Sequence, residues 1–286
     1  MSRARTPATA SLFSICSLFV FADPSAAPIP DGAQMKGRVL KSLRQSEDAL
    51  ENYSCVVHEQ SDELNTDGSV KKHWSSTKEQ FFVNRIQIEH TLEREGKPLD
   101  AAEAKKEQAR VDKEVKKYSD KQAAEKAEVH DEKQADMFLR ALRFVNGRRE
   151  QYGGRSTLVY DLSGDPAFHA KNIEERFAEA LTGRIAIDED SGTPVEVRFQ
   201  TTRDVKIGAG LLANLHKGFW LHVEQQREPD GVWITKGVQG SGDARAALFL
   251  RARFRFKQEL DKCHLFSVNT QQKIGAPESI TPAVKP

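Results

Sequence analysis

Apolar and polar side chains alternate through most of the chain, and a period of two is typical of β-strands. The alternation is clearest over residues 248–256, where every even position is apolar and Arg251, Arg253 and Arg255 occupy the opposite face. Turn sequences such as Asp67-Gly68 separate successive runs, as in hairpins. The pattern predicts nine or ten strands arranged as one antiparallel meander.

Two segments instead repeat apolar residues every three or four positions, as amphipathic helices do. The first covers residues 36–50, with Val39 and Leu43 near one face, and the second covers residues 173–181, just before Gly183. An antiparallel sheet of this size curls, and its apolar concave face must be covered. The sequence therefore predicts an α+β, mainly β fold, in which helices cover the hollow of a curled antiparallel sheet.

Residues 100–135 differ in composition from the rest of the chain. They are rich in Ala, Glu, Lys, Asp and Gln and contain no Gly or Pro, which predicts a charged helical insertion, either one solvated helix or a helical hairpin. The insertion is interpreted either as a lid, as an arm that docks a partner, or as a tolerated addition without a role of its own.

The first 27 residues have the pattern of a secretory signal peptide. Arg3 and Arg5 precede an apolar run at 12–22, and Ser25-Ala26-Ala27 supplies small residues for cleavage. This run is shorter than the roughly 20 residues that a membrane span needs. We therefore expect a cleaved signal peptide at 1–27, no transmembrane span, and a periplasmic or secreted protein. Residues 28–268 then form a single domain, and the Pro- and polar-rich residues 269–286 form a disordered tail.

Charge gives no sign of a nucleic-acid partner. Removing residues 1–27 takes away two arginines and one aspartate, so that 43 basic and 42 acidic side chains become 41 of each. Cys55 and Cys263 remain, and an oxidising compartment permits a disulfide between them. Two buried free thiols are an equally good interpretation at this stage.

The sequence contains no HExxH, GxSxG or P-loop motif. Residues 208–213 fit GxGxxA, but the helix that they could open is too short for a nucleotide-binding crossover. His216, His222 and His264 are expected to face solvent, so no metal site and no cofactor are predicted. The row of arginines at 251–255 either grips an anionic group or is simply the polar outer face of a strand. These observations favour a protein that is not an enzyme.

The order of elements resembles that of the LolA-like superfamily. The resemblance rests on a signal peptide, a leading helix that ends at Leu50-Glu51-Asn52-Tyr53, a long antiparallel meander with an interrupting helix, and a closing strand; it covers residues 36–266. Members of that superfamily include periplasmic lipoprotein carriers, which share an incomplete β-barrel lidded by helices and chiefly bind apolar chains. The resemblance implies the same fold here, but it transfers no individual binding residue.

The leading hypothesis is therefore an exported, non-enzymatic protein that holds a lipid, or the acyl chain of a lipoprotein, in its half-barrel. The candidate lining consists of apolar strand residues: Val197, Phe199, Phe219, Leu221, Val223, Leu250, Phe254 and Phe256. An alternative is an envelope interaction or sensing scaffold, in which residues 100–135 dock a partner protein. A third is a hydrolytic enzyme whose catalytic residues are dispersed along the chain.

Overall fold

The computed structural model describes residues 27–207, 213–246 and 250–265. The signal peptide predicted at 1–27 (except Ala27), the tail predicted at 269–286 and most of the GxGxxA motif lie outside these ranges. The expectations for those segments stay predictions.

Four helices and thirteen strands make up the described part of the chain. The helices are α1 (Gly32–Leu50), α2 (Ala101–Ser119), α3 (Lys121–Ala141) and α4 (Ile173–Glu179). The strands are β1 (Tyr53–Leu64), β2 (Val70–Val83), β3 (Ile86–Arg94), β4 (Lys97–Pro98), β5 (Leu142–Tyr152), β6 (Arg155–Gly164), β7 (Leu181–Asp188), β8 (Pro194–Thr201), β9 (Val205–Ile207), β10 (Ala213–Leu215), β11 (Trp220–Arg227), β12 (Trp233–Ala246) and β13 (Leu250–Leu265).

All these strands belong to one antiparallel sheet. Its order is β4-β3-β2-β1-β13-β12-β11-β8-β7-β6-β5, while β10 pairs with β9 and β12 beside this path. The sheet does not close on itself, because β5 lies at one edge and β4 at the other. The prediction of a curled, incomplete barrel with covering helices and a charged helical insertion is confirmed.

The first strand of the sheet pairs with the last. Val57 on β1 lies opposite Leu260 on β13, and both belong to a buried apolar cluster. Cys55 and Cys263, on the same two strands, are joined by a disulfide with a Cα–Cα distance of 4.1 Å. The first and the last strand in sequence order are thus held side by side near the middle of the sheet.

Helix α1 fills one part of the curl and defines the inner face of the sheet. Its side chains Met35 and Val39 are fully buried in the largest apolar cluster, together with Leu158 and Tyr160 of β6. Leu50, at the end of α1, packs against the cluster that contains Val57 and Leu260. The apolar stripe of α1 therefore rests on strands from both halves of the sheet, as its amphipathic pattern predicts.

The charged insertion is two helices rather than one, because Asp120 interrupts it. The Asp120 side chain accepts hydrogen bonds from the backbone N–H groups of Gln122 and Ala123, so that it caps the start of α3. Asp100 caps α2 in the same way, and forms a reciprocal capping box with Glu103. Helix α3 continues to Ala141, beyond the predicted end at 135, and leads directly into β5.

Both insertion helices pack on the sheet. Val111 of α2 is 2 % exposed, and Ala124 and Ala141 of α3 are equally well buried. Glu107 of α2 accepts a hydrogen bond of 2.8 Å from the backbone N–H of Thr91 on β3. Within the described ranges, β3 pairs on this side with just the two residues of β4, so α2 covers the polar backbone of an edge strand.

Candidate functional site

The inner face of the sheet carries the candidate site, and strand register shows which residues share it. Phe199 of β8 packs into the cluster around α1, so it lies on the inner face. Leu221 of β11 lies directly opposite Phe199. Gly240 of β12 and then Phe256 of β13 follow in register on the next two strands. Side chains that are directly opposite in a ladder project from the same face, so these residues form one row across the inner face.

Six phenylalanines form a chain of ring contacts over this face, which we call the aromatic row. Neighbouring ring centroids lie 5.9–6.5 Å apart, which is typical of contacting aromatic pairs. The aromatic row consists of Phe138, Phe177, Phe199, Phe219, Phe254 and Phe256. All six side chains are only half-buried, so they form an apolar surface that remains partly open to solvent.

Two glycines of β12 leave room for the rings. A Cβ atom at Gly240 would lie 2.8 Å from the Phe256 ring and 2.7 Å from the backbone oxygen of Trp220. A Cβ atom at Gly242 would lie 2.8 Å from the Phe219 ring. Because real Cβ atoms do not approach so closely, any larger residue at these positions would displace the aromatic row.

The structure brings the predicted lining residues together. Val197, Leu221 and Val223 share the inner face with Phe199 by register, and Phe219 joins them through its ring contacts. Phe254 and Phe256 continue the same surface on β13 and are half-buried like the others. The side chain of Leu250, the eighth candidate, lies outside the described part. Ligand binding by these residues stays a prediction.

Sequence reasoning missed the two phenylalanines that the helices contribute. Phe138 of α3 contacts Phe177 of α4 at a centroid distance of 6.2 Å, and Phe177 contacts Phe199 and Phe219. Phe177 occurs in a segment that was predicted to be helical, so its apolar side could have been assigned to the hollow. Phe138 lies beyond the predicted end of the charged insertion, where the local pattern gives no such signal.

The opposite, outer face carries a charged cluster in which Glu196 and His222 are buried. Glu196, His222 and Glu224 place one ligand-type atom each within 4.8 Å of one another. However, Glu196 already accepts hydrogen bonds from Arg198 at 2.6 and 2.9 Å and pairs with Arg184 at 3.3 Å. Two guanidinium groups thus already compensate the charge of Glu196, and the cluster forms an ion-pair network.

His222 corrects the expectation that the strand histidines face solvent. Its side chain is directed to the outer face, but it is only 9 % exposed. Its Nε2 atom lies 3.1 Å from Glu196 Oε1, and its Nδ1 atom lies 3.1 Å from Gln239 Nε2. Neighbouring polar side chains on adjacent strands therefore bury this histidine even though it faces away from the core.

The arginines of the last strand are engaged by acidic neighbours. Arg255 Nε lies 2.6 Å from Asp62 of β1, and Arg253 Nε lies 3.1 Å from Asp243 of β12. The side chain of Arg251 lies outside the described part. Of the two interpretations of this row, paired cross-strand charges on an outer face fit the contacts of Arg253 and Arg255.

None of the helices within the described ranges is long and apolar enough to cross a membrane. The sequence matches no known protein-family model, and no curated protein matches it. Among solved structures, the chain is similar to a crystal structure of a domain named for outer-membrane lipoprotein sorting, from Vibrio parahaemolyticus. The match covers 84 % of this chain and 95 % of that one, with a TM-score of 0.35 and 8 % sequence identity. It is a distant similarity.

Proposed function

We propose that the protein is an exported, non-enzymatic carrier that holds an apolar chain, from a lipid or a lipoprotein, in the hollow of its half-barrel. One observation carries the proposal: the aromatic row lies half-buried on the inner face of a sheet that does not close. Apolar side chains gain stability when they leave water, so an open surface of six rings favours an apolar occupant.

Burial of an apolar chain can supply enough free energy for binding without specific polar contacts. Each CH₂ group that moves from water into an apolar site contributes about 0.8 kcal/mol. A chain of about ten carbons therefore contributes roughly 8 kcal/mol, from which the cost of association must be subtracted. This explains how such a site can work in a sequence that has no recognisable binding motif.

Export is part of the proposal. The predicted signal peptide at 1–27 would deliver the protein to the periplasm or the exterior. The disulfide between Cys55 and Cys263 supports this location, because disulfides persist in oxidising compartments and are rare in the cytosol. A carrier suits an aqueous compartment through which apolar chains must pass.

Titration with a fluorescent fatty acid tests the site. We expect Phe254→Ala to weaken binding about tenfold, because it removes a ring that contacts both Phe219 and Phe256 in the aromatic row. Trp220→Ala is the matched control: Trp220 lies opposite Gln200, on the outer face of β11, and is 40 % exposed. Equal affinities for the two variants, with thermal unfolding showing both to be folded, would count against the aromatic row as the binding surface.

A further inference from the structure

The inner face changes character between β13 and β1. Along the row that contains Phe256, the next residues in register are Ser61 on β1 and Trp74 on β2. In the row beside it, Phe254 is followed by Glu63 and Lys72.

A third row across the inner face also changes from apolar to polar, but the change occurs at β13 rather than at β1. Val197, Val223 and Val238 follow one another in register on β8, β11 and β12. They are succeeded by polar residues on the next three strands: Gln258, Glu59 and Ser76. The inner face is therefore divided into an apolar half, on β8 and β11 to β13, and a mainly polar half, on β1 and β2. Trp74 is an exposed apolar exception in the polar half, and Val57 lies buried at its border.

The polar half has a carboxylate centre with its own hydrogen bonds. Glu59 pairs with Lys78 at 2.7 Å and accepts hydrogen bonds from Ser76 at 3.2 Å and from Gln258 at 3.3 Å. Lys78 also pairs with Glu89 at 2.7 Å. Burial lowers the pKa of Lys78, but its two carboxylate partners outweigh this and raise it, so that Lys78 stays charged.

These contacts decide which polar group fits best. Each carboxylate beside the proposed head group already has a lysine partner, since Glu59 pairs with Lys78 and Glu63 pairs with Lys71. A charged head group of either sign would therefore have to compete with an existing ion pair. Carboxylates accept hydrogen bonds and cannot donate them, so a ligand group beside Glu59 or Glu63 must supply donors. Hydroxyl groups meet both conditions, because they donate hydrogen bonds and carry no charge.

We propose that the ligand is an amphiphile whose acyl chain lies on the apolar half and whose uncharged, hydroxyl-bearing head group lies over Glu59, Ser61 and Glu63. This inference rests on the proposed function, and it adds the class of ligand. Glycerol esters and alkyl glycosides share this head-group chemistry. Free fatty acids share the chain but carry a charged carboxylate.

Competition against a bound fluorescent fatty acid tests the head group. The competitors are monopalmitoylglycerol, palmitate and hexadecyl glucoside, at a pH at which palmitate is charged. We expect monopalmitoylglycerol, hexadecyl glucoside or both to bind about tenfold more tightly than palmitate, because their hydroxyl groups donate hydrogen bonds to the carboxylates, whereas the ionised carboxylate of palmitate can only accept them. The better of the two identifies the source of the hydroxyl groups.

Two glutamine variants test whether the preference for hydroxyl-bearing head groups over palmitate depends on the polar half. Glu59→Gln should reduce the preference over palmitate by threefold or more, because a carboxylate that only accepts hydrogen bonds is replaced by an amide, which can also donate them to the carboxylate of palmitate. Glu259→Gln, on the outer face of β13 where Glu259 pairs with Lys257 at 2.8 Å, should leave it unchanged.

The outcomes separate the two proposals. Equal affinity for all three competitors, tighter binding of palmitate, or an unchanged preference in Glu59→Gln would overturn the head-group assignment while leaving the carrier function in place. Failure of the fluorescent fatty acid and of every competitor to bind would overturn the carrier function itself.

Discussion

At the scale of single residues, Glu107 joins the charged helices to the sheet. Its carboxylate binds Arg110 at 2.7 Å and the Thr91 N–H at 2.8 Å. The Arg110 hydrogen bond, opposed by burial and aided by Thr91, lowers the pKa of Glu107 from 4.5 to about 2. Because the pKa is lower in the folded protein, this group contributes stability above its unfolded pKa, and that contribution is lost as the pH falls through about 2.

We expect Glu107→Gln to lower the free energy of unfolding at neutral pH by about 1–3 kcal/mol, because charged hydrogen bonds are lost from a buried position. The difference in unfolding free energy between this variant and the wild-type protein should shrink as the pH falls from 4.5 towards 2. Urea unfolding across this range measures both effects. Glu114→Gln is the control, since Glu114 also pairs with Arg110 but is 38 % exposed. A difference that does not vary with pH would contradict the role given to Glu107.

His222 shows what alternation can and cannot predict about one residue. The period of two correctly places Val223 and Leu221 on one face and His222 on the other. It does not reveal that Glu196 and Gln239, on neighbouring strands, enclose the imidazole. Burial on an outer face depends on residues that are distant in sequence, so a local pattern carries no signal for it.

At the scale of elements, the α2–α3 pair is part of the folded structure and does not project from it. Helix α2 covers the edge of β3, and α3 leads into β5 at the other end of the sheet. An ion pair also joins α3 to α1, where Arg44 lies 2.9 Å from Glu132. Partner docking by these helices stays a hypothesis, but removing them would expose an unpaired strand edge.

Two valines in these helices provide a matched test. Val111→Ala should lower the free energy of unfolding by roughly 1–3 kcal/mol, because it leaves a cavity at a residue that is 2 % exposed. Val129→Ala should have little effect, since Val129 is 40 % exposed. Denaturant unfolding of the two variants measures the difference. Similar stabilities would mean that α2 is not packed as described.

Most elements could be predicted from local patterns, whereas their pairing and ends could not. The strand runs near Tyr53 and Phe254 and the helix at 36–50 follow from periodicity. Alternation says nothing about β1 pairing with β13, because the partners are about two hundred residues apart. The short strands β9 and β10 were missed, since three residues are too few to show a period.

At the scale of the whole molecule, the disulfide ties the first strand of the sheet to the last. Cys55 and Cys263 are separated by 208 positions in the sequence. A link across so long a loop restricts the unfolded chain strongly, and loop-entropy arguments give up to about 4–5 kcal/mol. The disulfide therefore protects the seam between β1 and β13, where the apolar and polar halves of the inner face meet.

Replacing both cysteines by serine should lower the free energy of unfolding by about 2–5 kcal/mol. A reductant should destabilise the wild-type protein by a similar amount and leave the variant without the two cysteines unaffected. Thermal unfolding with and without reductant provides the comparison. Insensitivity of the unchanged protein to complete reduction would show that the link contributes little.

Native mass spectrometry of the exported protein, purified without denaturant or detergent, tests the proposed lipid binding most directly. We expect part of the protein to carry an adduct that organic solvent extracts as an amphiphilic lipid. The Phe254→Ala variant should carry less of it than the Trp220→Ala variant, because only the former change reduces the apolar half of the inner face. Protein that is entirely free of ligand, together with no uptake of an added fluorescent fatty acid, would contradict the carrier function.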